Sequence, residues 1–153
     1  MPEPALPRVG LSAETMGTIL EPYKIPVLLG LSSSAYIKLQ PSTLFALLTN
    51  EHWMLCCKGV HNCMVFDSLG LPDSVLKDII LVPFSRWNHR GYQAMSSAVC
   101  GYYILMIVLE LHRNPHLGRA DEFFKALPFS VVIPNEMPEW VRIHKKYKAK
   151  LLE

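Results

Sequence analysis

His52-Trp53-Met54-Leu55-Cys56-Cys57-Lys58-Gly59-Val60-His61-Asn62-Cys63-Met64-Val65-Phe66-Asp67 decides the reading of this chain. Two apolar runs rich in strand-forming residues flank a short polar break that contains glycine, the pattern of a β-hairpin. With Gly59-Val60 as a two-residue turn of the II′ type, Lys58 faces His61, Cys56 faces Cys63, Met54 faces Val65 and His52 faces Asp67. A four-residue loop from Lys58 to His61 keeps that register, whereas a three-residue loop slips it by one and separates the pair. Directly opposed residues on one face have Cβ atoms roughly 4.5 to 5.5 Å apart, so the hairpin brings an imidazole to a carboxylate.

Downstream, Gln93 precedes Ser96-Ser97-Ala98-Val99-Cys100-Gly101, which opens an apolar helix over residues 98–112. If Ser97 caps this helix, Cys100 lies in its first turn, where the positive end of the helix dipole and a nearby imidazolium favour the thiolate. Gly101 leaves the thiol unobstructed and lets another backbone come close. Gln93 lies in the loop feeding the helix, within reach of an oxygen bound near the thiol. With the Cys100 backbone N–H it would form an oxyanion hole, each donor contributing on the order of 3 kcal/mol. A base, an orienting acid, an oxyanion donor and a thiol in this order are the parts of a cysteine protease. Papain-like enzymes place the cysteine before the histidine, so the chain order argues against them. Singly, each part has a plainer reading: a surface ion pair, a solvated glutamine, an inert buried cysteine.

Outward from this centre, 153 residues suit one α+β domain over residues 1–153, with half the residues apolar and 18% charged. Five of the twelve prolines fall before residue 27, which predicts an irregular segment over residues 1–24 broken by a short helix at residues 12–20. Short strands are expected at 27–31 and 35–39. Pro41-Ser42-Thr43 is read as opening a helix through Leu48 that leads to His52. A helix at 73–80 capped by Asp73, an edge strand at 81–84 and a loop over 85–96 follow. Beyond the apolar helix, the pattern predicts a helix at 119–127, a strand at 130–133 and a basic helix at 139–152. The sheet is expected to be small, mixed or antiparallel, and packed around the central apolar helix that carries the nucleophile.

A net charge of +2 gives no general sign of a nucleic-acid partner. Arg142, Lys145, Lys146, Lys148 and Lys150 read first as the solvated face of the terminal helix, with weak DNA contact as the alternative. The longest apolar run, residues 99–109, is too short to span a bilayer, so no membrane partner is expected. The cysteine spacing suggests a reducing, intracellular setting. Cys56, Cys57, His61 and Cys63 invite a zinc site, but adjacent strand residues point to opposite faces, so no metal is assigned. A cross-strand Cys56–Cys63 disulfide needs oxidising conditions.

The series His52-Trp53, an acid closing the next strand, and Gln93 before Cys100-Gly101 resembles adenain, the adenovirus maturation protease, and the related proteases that process SUMO and other ubiquitin-like proteins. The resemblance spans residues 51–111. It implies an adenain-like fold, with His52 as general base, Asp67 its orienting acid, Cys100 the nucleophile, Gln93 the oxyanion donor, and Trp53 and Gly101 beside the substrate cleft. It further implies cleavage of viral precursor proteins near glycine, in the host nucleus or cytoplasm and in the virion. Removal of ubiquitin-like modifiers from host proteins is the alternative, and an inactive binding module of the same fold a more distant one. Asp67-Ser68-Leu69-Gly70 is closer to the ubiquitin-like protein proteases, since adenain carries a glutamate there. No cofactor is required for the chemistry, although the resemblance points to an activating viral peptide or DNA. The chain has no cysteine between Cys63 and Cys100 to join such a peptide by a disulfide, which leaves strand addition.

Overall fold

Ser12 sets the first element: its hydroxyl accepts the Thr15 N–H at 3.1 Å and starts helix α1, Ala13–Leu20. This agrees with the expected helix, and α1 buries Met16, Ile19 and Leu20. A 3₁₀ turn, Glu21–Tyr23, leads to strand β1, Val27–Leu29. The computed structural model describes residues 10–88, 91, 100–113 and 145–146.

Two expectations fail between β1 and the hairpin. The segment read as a strand at 35–39 is instead a short helix, α2, Ser33–Ile37, because Ser32 caps it by accepting the Ala35 N–H at 3.1 Å. The segment read as a helix is strand β2, Leu44–Thr49. It lies between β1 and the hairpin, with Phe45 and Leu47 in one core layer and Ala46 in the other. A strand buried on both faces reads as a continuous apolar run, which periodicity alone does not separate from a buried helix.

The hairpin forms as β3, His52–Lys58, and β4, Cys63–Phe66. Helix α3, Asp73–Ile79, follows with Pro72 in the cap position, so Asp73 is its first residue and not its cap. Strand β5, Phe84–Arg86, lies two to three residues beyond the expected edge strand. The sheet order is β1-β2-β3-β4-β5. β1 with β2 and β4 with β5 run parallel, and the central pairs run antiparallel.

Helix α4, Cys100–Arg113, is buried at every residue from Cys100 to Val108. It packs with α1 on one side of the sheet against Ala46, Trp53, Leu55 and Phe66. The other side holds Met54, Cys56, Cys63 and Val65 under Leu76 and Ile80, with Tyr36 and Leu39 at its margin. The protein is thus α+β, a five-stranded mixed sheet between two helical layers, with the apolar helix packed on one face of the sheet and not enclosed by it. Expected elements at 119–127 and 130–133 lie outside the described residues. Of the terminal helix, Lys145 and Lys146 are described, and they are helical and exposed.

Candidate active site

The β2–β3 connection delivers His52. Thr49 pairs with His52 across Asn50 and Glu51, whose φ angles of 50° and 60° make a two-residue turn of the I′ type. Asn50 is the sequence signal for that turn, and Glu51 occupies the position that usually carries glycine.

The β3–β4 register differs from the expected one. Lys58 pairs with Cys63, Cys57 with Met64, Cys56 with Val65 and Leu55 with Phe66. The loop is Gly59 to Asn62, closed by the Gly59 N–H to the Asn62 carbonyl at 2.9 Å. Relative to the expected pairing the strands have moved by two residues, so His52 and Asp67 are diagonal neighbours and not directly opposed. A shift of two leaves every side chain on its original face, and diagonal neighbours remain within reach of long side chains. The predicted pair therefore survives the wrong register: His52 Nε2 and Asp67 Oδ1 are 2.5 Å apart.

β3 and β4 part after the Leu55–Phe66 pair, and the site occupies the opening. In that opening the Trp53 N–H bonds to Cys100 Sγ at 3.3 Å, which ties the head of α4 to β3. His52 is 8% exposed, Cys100 6% and Asp67 1%.

Asp67 is held from several directions. Oδ1 also accepts the Leu69 N–H at 3.0 Å, and Oδ2 accepts the Leu71 N–H at 2.8 Å. Its carbonyl accepts the Gly70 N–H at 3.0 Å, closing a turn in which Gly70 has a φ of 65°. An aspartate is the right length to take these local amides, a turn-forming habit of its short side chain.

Burial works against the charged form of both members of the pair, and hydrogen bonding outweighs it. Burial pulls the His52 pKa down most strongly, yet hydrogen bonds and charge from Asp67 and Cys100 raise it to about 9. Burial likewise pushes Asp67 up, but His52 and the Leu71 and Leu69 amides hold its carboxyl below the ordinary range. The pair is an imidazolium and a carboxylate near neutral pH. With Nε2 engaged by Asp67, Nδ1 is the ring nitrogen left for the thiol.

Three further residues brace the acid. The Asn88 carboxamide accepts the Asp67 N–H at 2.9 Å and donates to the Asp67 carbonyl at 2.6 Å. Arg86, its side chain 8% exposed, donates through Nε to the Asn88 carbonyl at 2.9 Å and through Nη1 to the Leu71 carbonyl and to Asp73. Gly91 passes over the acid turn so closely that a Cβ there would lie 2.7 Å from the Leu69 carbonyl oxygen. Sequence reasoning assigned none of the three. Asn88 and Arg86 sit in a segment that reads as an ordinary polar loop.

Trp53 and Gly101, expected beside a cleft, lie in the interior. Trp53 is 2% exposed and its indole N–H donates to the Leu11 carbonyl at 2.9 Å. A Cβ on Gly101 would meet Met16, Leu11 and Trp53 at 2.9 to 3.2 Å, so the glycine admits the N-terminal segment against the helix. Gln93 and the expected Ser97 cap lie outside the described residues, as do Arg142, Lys148 and Lys150.

No protein-family model and no curated protein matches this chain.

The remaining cysteines stand apart from the site. Cys56 and Cys63 are buried in the opposite core layer, Cys57 is half-buried and His61 is exposed. Burial pushes the Cys56 and Cys57 thiols up, away from the thiolate that a metal needs. Among the described residues no group of three or more histidine, cysteine or acidic side chains is arranged to hold a metal ion. No described helix is long and apolar enough to cross a membrane.

Proposed function

We propose that this protein is a cysteine endopeptidase with an adenain-like fold. The observation that carries the reading is that His52, at the start of β3, engages Asp67, just past β4, and also Cys100, at the head of α4. The raised imidazole and depressed carboxyl describe a charged pair beside a thiol, the state from which a thiolate attacks.

In the proposed reaction the proton of Cys100 rests on His52 Nδ1 as the imidazolium, the Cys100 thiolate attacks the scissile carbonyl carbon, and the carbonyl electrons move to oxygen. The Cys100 backbone N–H and Gln93 receive that oxyanion, the role the resemblance gives Gln93. As the oxyanion collapses, the C–N bond breaks and imidazolium Nδ1 passes its proton to the departing amine. A water then loses a proton to His52 and attacks the thioester, and cleavage of the C–S bond releases the acid and returns the Cys100 thiolate beside the imidazolium. Asp67 stays ionised throughout and holds the ring by Nε2. The substrates proposed are viral precursor proteins cut near glycine. The Asp67-Ser68-Leu69-Gly70 turn supports removal of ubiquitin-like modifiers as the second reading.

Labelling by a peptide aldehyde or vinyl sulfone tests the chemistry: wild type is labelled and Cys100→Ala is not. Persistence of labelling in Cys100→Ala, or its absence in wild type, overturns the assignment. Turnover of glycine-containing peptides supports the maturation reading, and activity confined to whole ubiquitin or SUMO conjugates the other.

A further inference from the structure

The ladder between β4 and β5 stops one rung short of the acid. The Cys63 N–H reaches the Pro83 carbonyl at 2.9 Å, and the Trp87 N–H reaches the Val65 carbonyl at 2.8 Å. Amides of alternate β4 residues face β5, so Asp67 supplies the next donor. Its partner is a side chain: Asn88 Oδ1 takes the Asp67 N–H while Nδ2 donates to the Asp67 carbonyl. The carboxamide supplies one donor and one acceptor, as a strand backbone would, and extends the ladder by one residue without extending the strand.

This substitution has a geometric use. A backbone rung would hold residue 67 in the straight course of β4. A side-chain rung secures its backbone while the chain turns at Gly70, which lets the carboxylate collect Leu69, Leu71 and His52. Asn88 is itself held by Arg86 Nε and is 4% exposed. Burying a carboxamide is tolerated only when its donor and acceptor are both engaged, as they are here by the Asp67 backbone.

We propose that Asn88 is a positioning residue of the active site, acting through the Asp67 backbone to aim the carboxylate at His52 Nε2. The proposal rests on reading His52, Asp67 and Cys100 as the reacting set, and its first readout does not depend on turnover.

The test is the His52 titration followed by NMR in Asn88→Ala and in the milder Asn88→Ser, which keeps a single hydroxyl. Loss of the clamp lowers the midpoint from about 9 by about one pH unit or more, with Ser intermediate. Ile80→Val, in the opposite core layer, controls for general destabilisation and leaves the midpoint in place. Peptide turnover then loses about tenfold or more in kcat with little change in KM. A folded Asn88→Ala whose midpoint matches wild type overturns the proposal, and so does an equal fall in Ile80→Val. A lowered midpoint in Asn88→Ala, together with a wild-type protein that no vinyl sulfone labels, upholds the clamp and sinks the protease reading instead. If neither variant folds, amide exchange in wild type decides. The clamp requires the Asp67 N–H to exchange as slowly as that of Val65, and rapid exchange at Asp67 refutes it.

Discussion

Replacing Asp67 by asparagine separates charge from shape. The carboxylate accepts the His52 ring N–H and the Leu69 and Leu71 amides, whereas a carboxamide offers one oxygen and turns an NH2 group on the remaining donors. In wild type the rise of His52 from 6.5 to about 9, at about 1.4 kcal/mol per pH unit, means that the folded site favours imidazolium by about 3 kcal/mol. That figure is net of burial, the largest single influence on His52 and one that acts downward. Without the carboxylate, burial is opposed only by the hydrogen bond and charge of Cys100, and the midpoint falls by about one unit or more. Stability follows by linkage. A histidine whose folded pKa is raised contributes fully below its unfolded value near 6.5 and loses the contribution as pH climbs through about 9. Unfolding by urea across this range should therefore show the gap between wild type and Asp67→Asn closing as pH rises, by at least about 1 kcal/mol. Below this window Asp67 governs: its depressed carboxyl stabilises above the ordinary 3.8, and that contribution is lost as pH falls through the folded value. A His52 midpoint that moves by less than about one unit, or a gap that stays constant with pH, would refute the coupling.

Relief of the turn before His52 is tested by Glu51→Gly, which removes a side chain held at a φ of 60° and should raise stability by roughly 1 kcal/mol. A loss of stability measured by urea unfolding would contradict the I′ geometry. Gly101→Val should lower stability by about 1 to 3 kcal/mol, because its Cβ alone meets Met16 at 2.9 Å and Leu11 at 3.0 Å. A neutral effect on the melting temperature would mean that the N-terminal segment does not seat on α4. For the spare thiols, a disulfide reagent applied to native protein should modify half-buried Cys57 well before buried Cys56 and Cys63. Mass mapping showing Cys56 modified first would place the hairpin faces the wrong way round.

Local signals in the sequence were reliable where a side chain acts on its own neighbourhood. The short helix expected over residues 12–20 formed, capped by Ser12, and Gly59 broke the hairpin where a turn was due. The apolar run from Cys100 became a helix buried on every side. Signals failed where the outcome depended on distant partners. Leu44 to Thr49 became a strand only because β1 and β3 lie on either side of it, and nothing within those residues distinguishes that from a buried helix. Ser32 capped α2 although the residues after it resemble a strand. The β3–β4 register moved by two, which a turn of four residues allows as readily as one of two. Asn88 was invisible because its role is to bond a backbone 21 residues away.

By itself, the sequence determined which residue types stand at the ends of β3 and β4 and at the head of α4, because hydrophobic alternation and the hairpin break depend on near neighbours. It also determined that His52 and Asp67 share a face, since a shift of two preserves the alternation of a strand. Only the tertiary structure decided that the pair meets diagonally, in an opening where β3 and β4 diverge, that Cys100 takes the Trp53 amide there, and that Trp53 and Gly101 are packed inside. Those outcomes come from long-range packing and hydrogen bonds, which no stretch of chain encodes alone.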